Sequence, residues 1–225
     1  MSYARRAWIV LWKDVLIEWR SKASLNALFF FAFLLLFLFQ FALGPDRERL
    51  IAALPGLLWL GVILAGLLGL GRTFVAERDN DCWEGLTLAP GDKSAIYAGK
   101  LAGNFVLMGM VVLVLLALVG FFHNVDVLTP LAPLAGVILL GLLGLAAIGT
   151  LFGAMTARLR ARELLFPLLL LPIQVPLLLA TVKATEAVLD GQPLGAVGHW
   201  LKLMAAADVI YLVVGLLTFE FLLES

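Results

Sequence analysis

Six stretches of this 225-residue chain stay mostly apolar for 18 residues or more, at about 25–43, 51–71, 101–122, 130–155, 164–182 and 203–223. Each is long enough, at about 1.5 Å per helical residue, to cross a hydrocarbon layer roughly 30 Å thick. The alternation of apolar and polar residues that marks barrel strands is absent, which leaves helices as the spanning elements. Charged residues make up 14% of the chain, against about 25% in an average soluble domain. The expected fold is therefore all-α: one polytopic membrane domain over 1–225, with six transmembrane helices and an amphipathic interfacial helix at 1–24. The formal net charge of zero argues against a nucleic-acid partner. A single cysteine, Cys82, rules out an internal disulfide and any CxxC motif. The first apolar run begins only after 24 residues, and Tyr3, Trp8, Trp12 and Trp19 precede it, unlike the short basic start of a cleavable signal.

Lysine and arginine set the orientation. The segment before the first span carries five, the loop at 72–100 four, and the loop at 156–163 three (Arg158, Arg160 and Arg162). The opposite loops carry only Arg47, Arg49, Lys183 and Lys202. Twelve against four places both termini and the 72–100 segment in the cytoplasm, with 183–202 as the longest outer segment. In a cell with two membranes this is the pattern of an inner-membrane protein.

Within 1–24, Trp8, Leu11, Trp12, Val15 and Trp19 share one helical face, and Arg6, Lys13 and Arg20 lie on another. Indoles favour the headgroup boundary and the basic side chains reach lipid phosphates. Val10 and Ile17 interrupt the polar face, so part of it should pack against protein. Small residues recur every fourth position at Gly61, Ala65 and Gly69 and at Gly149 and Gly153. Such stripes let helix backbones approach closely, within one chain or between two copies. The fifth span holds Pro167, Pro172 and Pro176. Each lacks an N–H and crowds the preceding turn, so this helix is expected to kink or unwind locally, as a hinge or as a passive bend. Beyond it, Ala184, Val188 and Leu189 beside Glu186 and Asp190 suggest a separate short amphipathic helix.

No enzyme constellation appears: HExxH and GxSxG are missing, and no carboxylate cluster falls within a span. Gly91-Asp92-Lys93-Ser94 lacks the spaced glycines and preceding strand of a phosphate loop, so any nucleotide hydrolysis belongs to another chain. His123 and His199 both fall on the outer side, where paired imidazoles could ligate a haem iron or another metal. Asp208 lies inside the last span, about two turns from its outer end, and either faces the bundle interior or pairs with Lys202. Asn26, Gln40, Asn104 and Gln174 are expected to hydrogen-bond between helices.

The 72–100 segment holds nine of the chain's 32 charges. Residues 73–80 should carry the second span past the membrane as a charged helix, ended by the Pro90-Gly91 turn, after which Asp92 can cap a helix at 93–99. Trp83, Leu86 and Leu88 then form an apolar knob framed by Glu77, Asp79, Asp81 and Glu84, suited to a groove on a soluble partner.

This pattern, ER…WEGLTLAPGDKSAIYAGK, resembles the polar connection of type-2 ABC exporter permeases. More specifically the chain is similar to the CcmB family, the haem exporter permease of cytochrome c maturation. Gly44-Pro45-Asp46 and Leu54-Pro55-Gly56-Leu57-Leu58-Trp59 carry the likeness, together with the stretch from Gly141 to Gly149. So do Arg162-Glu163-Leu164 and the run from Leu171-Pro172 to Pro176-Leu177. The resemblance implies a membrane subunit, two copies of which work with a CcmA-like ATPase and with CcmC-like, CcmD-like and CcmE-like partners. It implies haem as substrate rather than as resident cofactor. ATPase coupling would fall to Glu77, Arg78, Asp81, Trp83, Glu84, Leu86, Leu88, Pro90, Asp92 and Lys93. His123, His199 and Asp208 would be the contacts for haem or its path. Two other readings fit the same residues: a scaffold without a transport path, and a permease for another amphipathic substrate.

Overall fold

The computed structural model describes residues 2–20, 22–44, 47–74, 77, 78, 85, 92–123 and 129–224. Seven helices occupy almost all of them. They are α1 (Tyr3–Arg20), α2 (Lys22–Leu43), α3 (Arg47–Leu70), α4 (Ser94–His123), α5 (Leu131–Thr156), α6 (Arg162–Leu189) and α7 (Leu194–Glu224). Among the described residues α3 to α7 are each long and apolar enough to cross a membrane, while the apolar stretch Phe33–Leu43 of α2 is shorter. The outward faces of these helices are apolar: Leu113, Leu168, Val175, Val209, Leu217 and Phe221 are all exposed. A surface that lipophilic is stable only against lipid.

The centre of the bundle is α5, packed against α3, α4, α6 and α7. Four of its glycines, Gly141, Gly144, Gly149 and Gly153, make this possible by admitting close neighbours. A Cβ at Gly141 would run into the Trp59 ring of α3, and one at Gly149 would meet Leu70 Cδ1 at 2.5 Å. The second-span stripe works the same way: Gly61 receives Leu115, and Gly69 receives Met108 and Leu107 of α4. Both four-residue stripes are thus used inside the chain. Buried polar groups tie the layers together. Trp59 Nε1 donates to Thr185 Oγ1 at 2.9 Å, Asn104 Nδ2 to Thr150 Oγ1 at 2.8 Å, and the Tyr97 hydroxyl to the Ala147 carbonyl at 2.9 Å. Gln174 Nε2 donates to the Gly144 carbonyl at 3.3 Å. Asn104 and Gln174 therefore join helices; the side chains of Asn26 and Gln40 lie outside the described residues.

Three sequence expectations need correction. Of the two outcomes expected for the prolines of α6, local unwinding is the one corrected: the helix is continuous from Arg162 to Leu189, with Pro172 and Pro176 exposed. Facing lipid, the rings need displace no packed neighbour. No separate helix follows, because residues 183–189 are the last turns of α6. The connection to α7 is only Asp190–Pro193, turning at Gly191 with φ +69°. Apolar periodicity marks where lipid ends, and a helix whose end is covered by its neighbours need not stop there. Nor does α3 run on unbroken: after Leu70 the ladder tightens, with Arg72 N–H bonding Gly69 O and Thr73 N–H bonding Leu70 O.

Gly141→Ala should force the rigid Trp59 ring out of place and cost about 1–3 kcal/mol. The expected outcome is a lowered unfolding midpoint in detergent with unchanged helical content by circular dichroism.

Candidate functional site

The lysine- and arginine-rich end of the bundle is organised around Lys100, in the second turn of α4 and 1% exposed. Three acceptors surround its ammonium: Glu77 Oε1 at 2.5 Å, the Thr73 carbonyl at 2.7 Å and Asp14 Oδ2 at 3.1 Å. The Phe74 ring lies 5.0 Å below it. Lys13 also donates to Glu77 Oε1, so two ammonium and two carboxylate groups close a neutral quartet. A buried charge is tolerated only with such pairing. The quartet draws α1, the chain just beyond α3 and the start of α4 into one unit.

Backbone fit makes the approach of α1 close enough. A Cβ at Gly99 would collide with the Ala7 carbonyl at 2.6 Å and Val10 Cβ at 2.7 Å, while Gly103 faces Asp14 Cβ at 3.5 Å. Gly99 and Gly103 are one helical turn apart and form the floor on which α1 lies. Lys13 and Asp14 turn toward that floor and Trp8, Trp12 and Trp19 turn outward, about 60% exposed. Beside the quartet a cleft of about 100 Å³ is lined by Glu18, Trp19, Arg72, Thr73, Glu77 and Asn104.

Burial alone would push the Glu77 carboxyl upward. The Lys100 ammonium, with the hydrogen bonds from Lys100 and Lys13, outweighs this and holds it below its ordinary 4.5. Burial likewise works against the Lys13 ammonium, but the bond it donates to Glu77 and the charge of Asp14 prevail and hold it above 10.5. Asp92 accepts the Ser94 N–H at 2.9 Å at the start of α4, and its bonds with Ser94 lower its carboxyl. Arg78 Nη1 donates to the Ala157 carbonyl at 3.1 Å, placing a cation at the C-terminal end of α5.

The expected coupling residues thus divide. Glu77 is buried in the quartet and cannot be a surface contact; Arg78, Asp92 and Lys93 lie at the same end. Asp81, Trp83, Glu84, Leu86, Leu88 and Pro90 lie outside the described residues. At the far end His199 is exposed and stacks against Trp200. α4 ends at His123, whose side chain lies outside the described residues. Asp208 is 2% exposed and points into the bundle, away from the exposed Lys202. It lies nine residues, roughly 13 Å along the helix, from His199, so the structure does not bring these two together. Among the described residues no group of three or more His, Cys, Asp or Glu side chains could hold a metal ion. Sequence reasoning took Lys100 only as a topology charge; the Gly99–Gly103 pair was the available signal of its burial.

The fold and this site define a polytopic helical membrane protein with a charged, internally clamped end. The sequence matches the family described as CcmB protein over residues 5–223, and the chain belongs to that family. It is 30% identical over 205 residues to heme exporter protein B of Bradyrhizobium diazoefficiens, covering 90% of both chains. To that of Pseudomonas aeruginosa it is 29% identical over 88% of both. To that of Escherichia coli K12 it is 29% identical over 80% of this chain and 81% of that protein.

Lys100→Met should remove the buried cation beside Glu77, leaving it only the half-exposed Lys13, and cost up to about 3–5 kcal/mol, read as a lowered unfolding midpoint, with much of the loss recovered in Lys100→Met/Glu77→Met. Because the folded Glu77 value is depressed, its stabilisation is complete above about pH 4.5 and is lost as pH falls through the lower folded value. Protease cutting between α1 and α2 should therefore rise on acidification below that pH, and Glu77→Gln should remove this component of the profile.

Proposed function

We propose that this chain is the membrane subunit of an ATP-driven haem exporter serving c-type cytochrome maturation. Its relatives carry the name heme exporter protein B, and its own sequence holds no nucleotide-binding loop or catalytic constellation. In this reading a separate CcmA-like ATPase supplies the hydrolysis, and CcmC-like, CcmD-like and CcmE-like proteins receive or carry the haem. The protein sits in the inner membrane with both termini cytoplasmic. α2, roughly 33 Å long for its 22 residues, is the sixth crossing. Two copies in a type-2 ABC exporter arrangement form the permease.

The observation that carries the reading is the quartet at Lys100. Arg78 and Asp92, the described residues that flank 79–91, lie at the same end as the quartet, so in this reading a push on Trp83, Leu86 or Leu88 meets a clamped base. Chain connectivity passes the displacement to α3 and α4, the quartet passes it to α1, and Arg78 passes it to the end of α5. A stroke delivered by nucleotide-driven closure of the ATPase pair therefore moves several helices together. Haem or its path would lie toward His123 and His199 at the opposite end, with α6 bending at Pro167, Pro172 and Pro176.

Trp83→Ala and Glu84→Lys should each abolish co-purification of the ATPase subunit while membrane insertion stays intact; unchanged recovery in both would overturn the coupling role. Reconstituted with its ATPase, the chain should move haem across vesicles in an ATP-dependent manner. Release of a haem-loaded chaperone without any haem movement would replace export with a scaffold role.

A further inference from the structure

Three buried oxygens at the middle of the bundle have no hydrogen-bond partner: Asp208 Oδ1, Asp208 Oδ2 and Gln174 Oε1. Gln174 is fully buried and Asp208 nearly so. Both converge on Gly144. The Gln174 amide nitrogen donates to the Gly144 carbonyl, which fixes the amide orientation and leaves Oε1 as the free end. Asp208 Oδ1 occupies the space a Cβ of Gly144 would need, and Leu177 Cδ2 lies 2.5 Å from that position. Asp208, Gln174 and Gly144 each fall near the midpoint of their helices, α7, α6 and α5. The cluster is thus at mid-depth, where an unsatisfied polar group is most costly.

Nothing nearby offsets a negative charge. α5 has no ionisable residue along its length. On α6 the nearest are Lys183 and Glu186, more than two turns outward and paired with each other at 2.7 Å. α4, also packed on α7, brings Tyr97 against Gly215, two turns from Asp208, with its hydroxyl committed to Ala147. On α7 itself Tyr211 is the neighbour one turn away, and its hydroxyl donates to the Ile173 carbonyl at 2.7 Å. Three acceptors without a donor call for one, and a proton, a cation or a water could supply it. The contact with Gly144 and Leu177 favours the smallest one, since a hydrated or ligated metal ion needs a cage the packing does not leave.

We propose that Asp208 and Gln174 form a proton-binding site at the membrane midplane, with the proton held on the Asp208 carboxyl and the Gln174 side-chain oxygen as its acceptor. Loading the proton satisfies the carboxyl and lets α7 lie flat on Gly144 of α5; releasing it leaves an uncompensated charge between α5, α6 and α7 and favours their separation. The site would make the packing of α7 responsive to proton supply, independently of whether haem is the cargo.

Infrared difference spectroscopy of the full chain in lipid nanodiscs tests this. At neutral pH the wild type should show the C=O band of a protonated carboxyl, and Asp208→Asn, close to isosteric, should lose it. Carbon-13 aspartate labelling should shift the wild-type band, which keeps the test decisive if the variant does not fold. Absence of the band at neutral pH, no isotope shift, or an unchanged band in a folded Asp208→Asn protein overturns the proposal. If the band appears only when sodium is exchanged for a bulky organic cation at constant pH, the occupant is an alkali cation and the proton assignment also falls.

Discussion

A lysine ammonium removed from water holds the charged end of this protein together. Lys100 is the one Lys, Arg, Asp or Glu in α4, and its head is buried among its partners. Its partners come from three places in the chain: Asp14 on α1, Thr73 just after α3, and Glu77 a turn beyond. Satisfying that one cation fixes where α1 lies and how the chain leaves α3.

The membrane-embedded part rests on a complementary constraint. Helices in lipid gain little from burying apolar side chains, so contact depends on close backbone approach and on polar groups that find partners. α5 supplies the first through Gly141, which receives Trp59, Gly144, which receives Asp208 and Leu177, and Gly149 and Gly153, which receive Leu70. The hydrogen bonds of Trp59, Tyr97 and Asn104 supply the second. Against that background Asp208 and Gln174 stand out, because their three unpartnered oxygens lie together in the middle of the bundle. The protein therefore has two polar centres of opposite design: a neutral quartet of paired charges at one end, where Glu77 Oε2 is left without a hydrogen bond, and a pure acceptor cluster at mid-depth.

Much of the fold was legible because one physical quantity, the length of apolar runs, governs helices in lipid. The glycine stripes predicted close packing, and Val10 interrupting the polar face of α1 predicted contact with protein, met at Gly99. Helix ends were less legible. The Leu189 end of α6 continues past its apolar run because Ala184, Thr185, Ala187 and Val188 are covered by neighbours, which hydropathy cannot register. The site was read only by region. Glu77 resembled its neighbours at 79, 81 and 84 in sequence, yet it is buried and paired, because a carboxylate's role depends on which cation the fold brings beside it.

By itself the sequence determined the class of the protein, the approximate spans and the charged end, since each follows from composition along the chain; its motifs carried the resemblance to CcmB proteins. Only the tertiary structure decided that Lys13, Asp14, Glu77 and Lys100 close one quartet across up to 87 positions, from Lys13 to Lys100. It also decided that Asp208 faces Gly144 and Gln174 and not Lys202. Both outcomes are pairings of polar groups on different helices. Their energies depend on distance and dielectric, which exist only once the helices have packed.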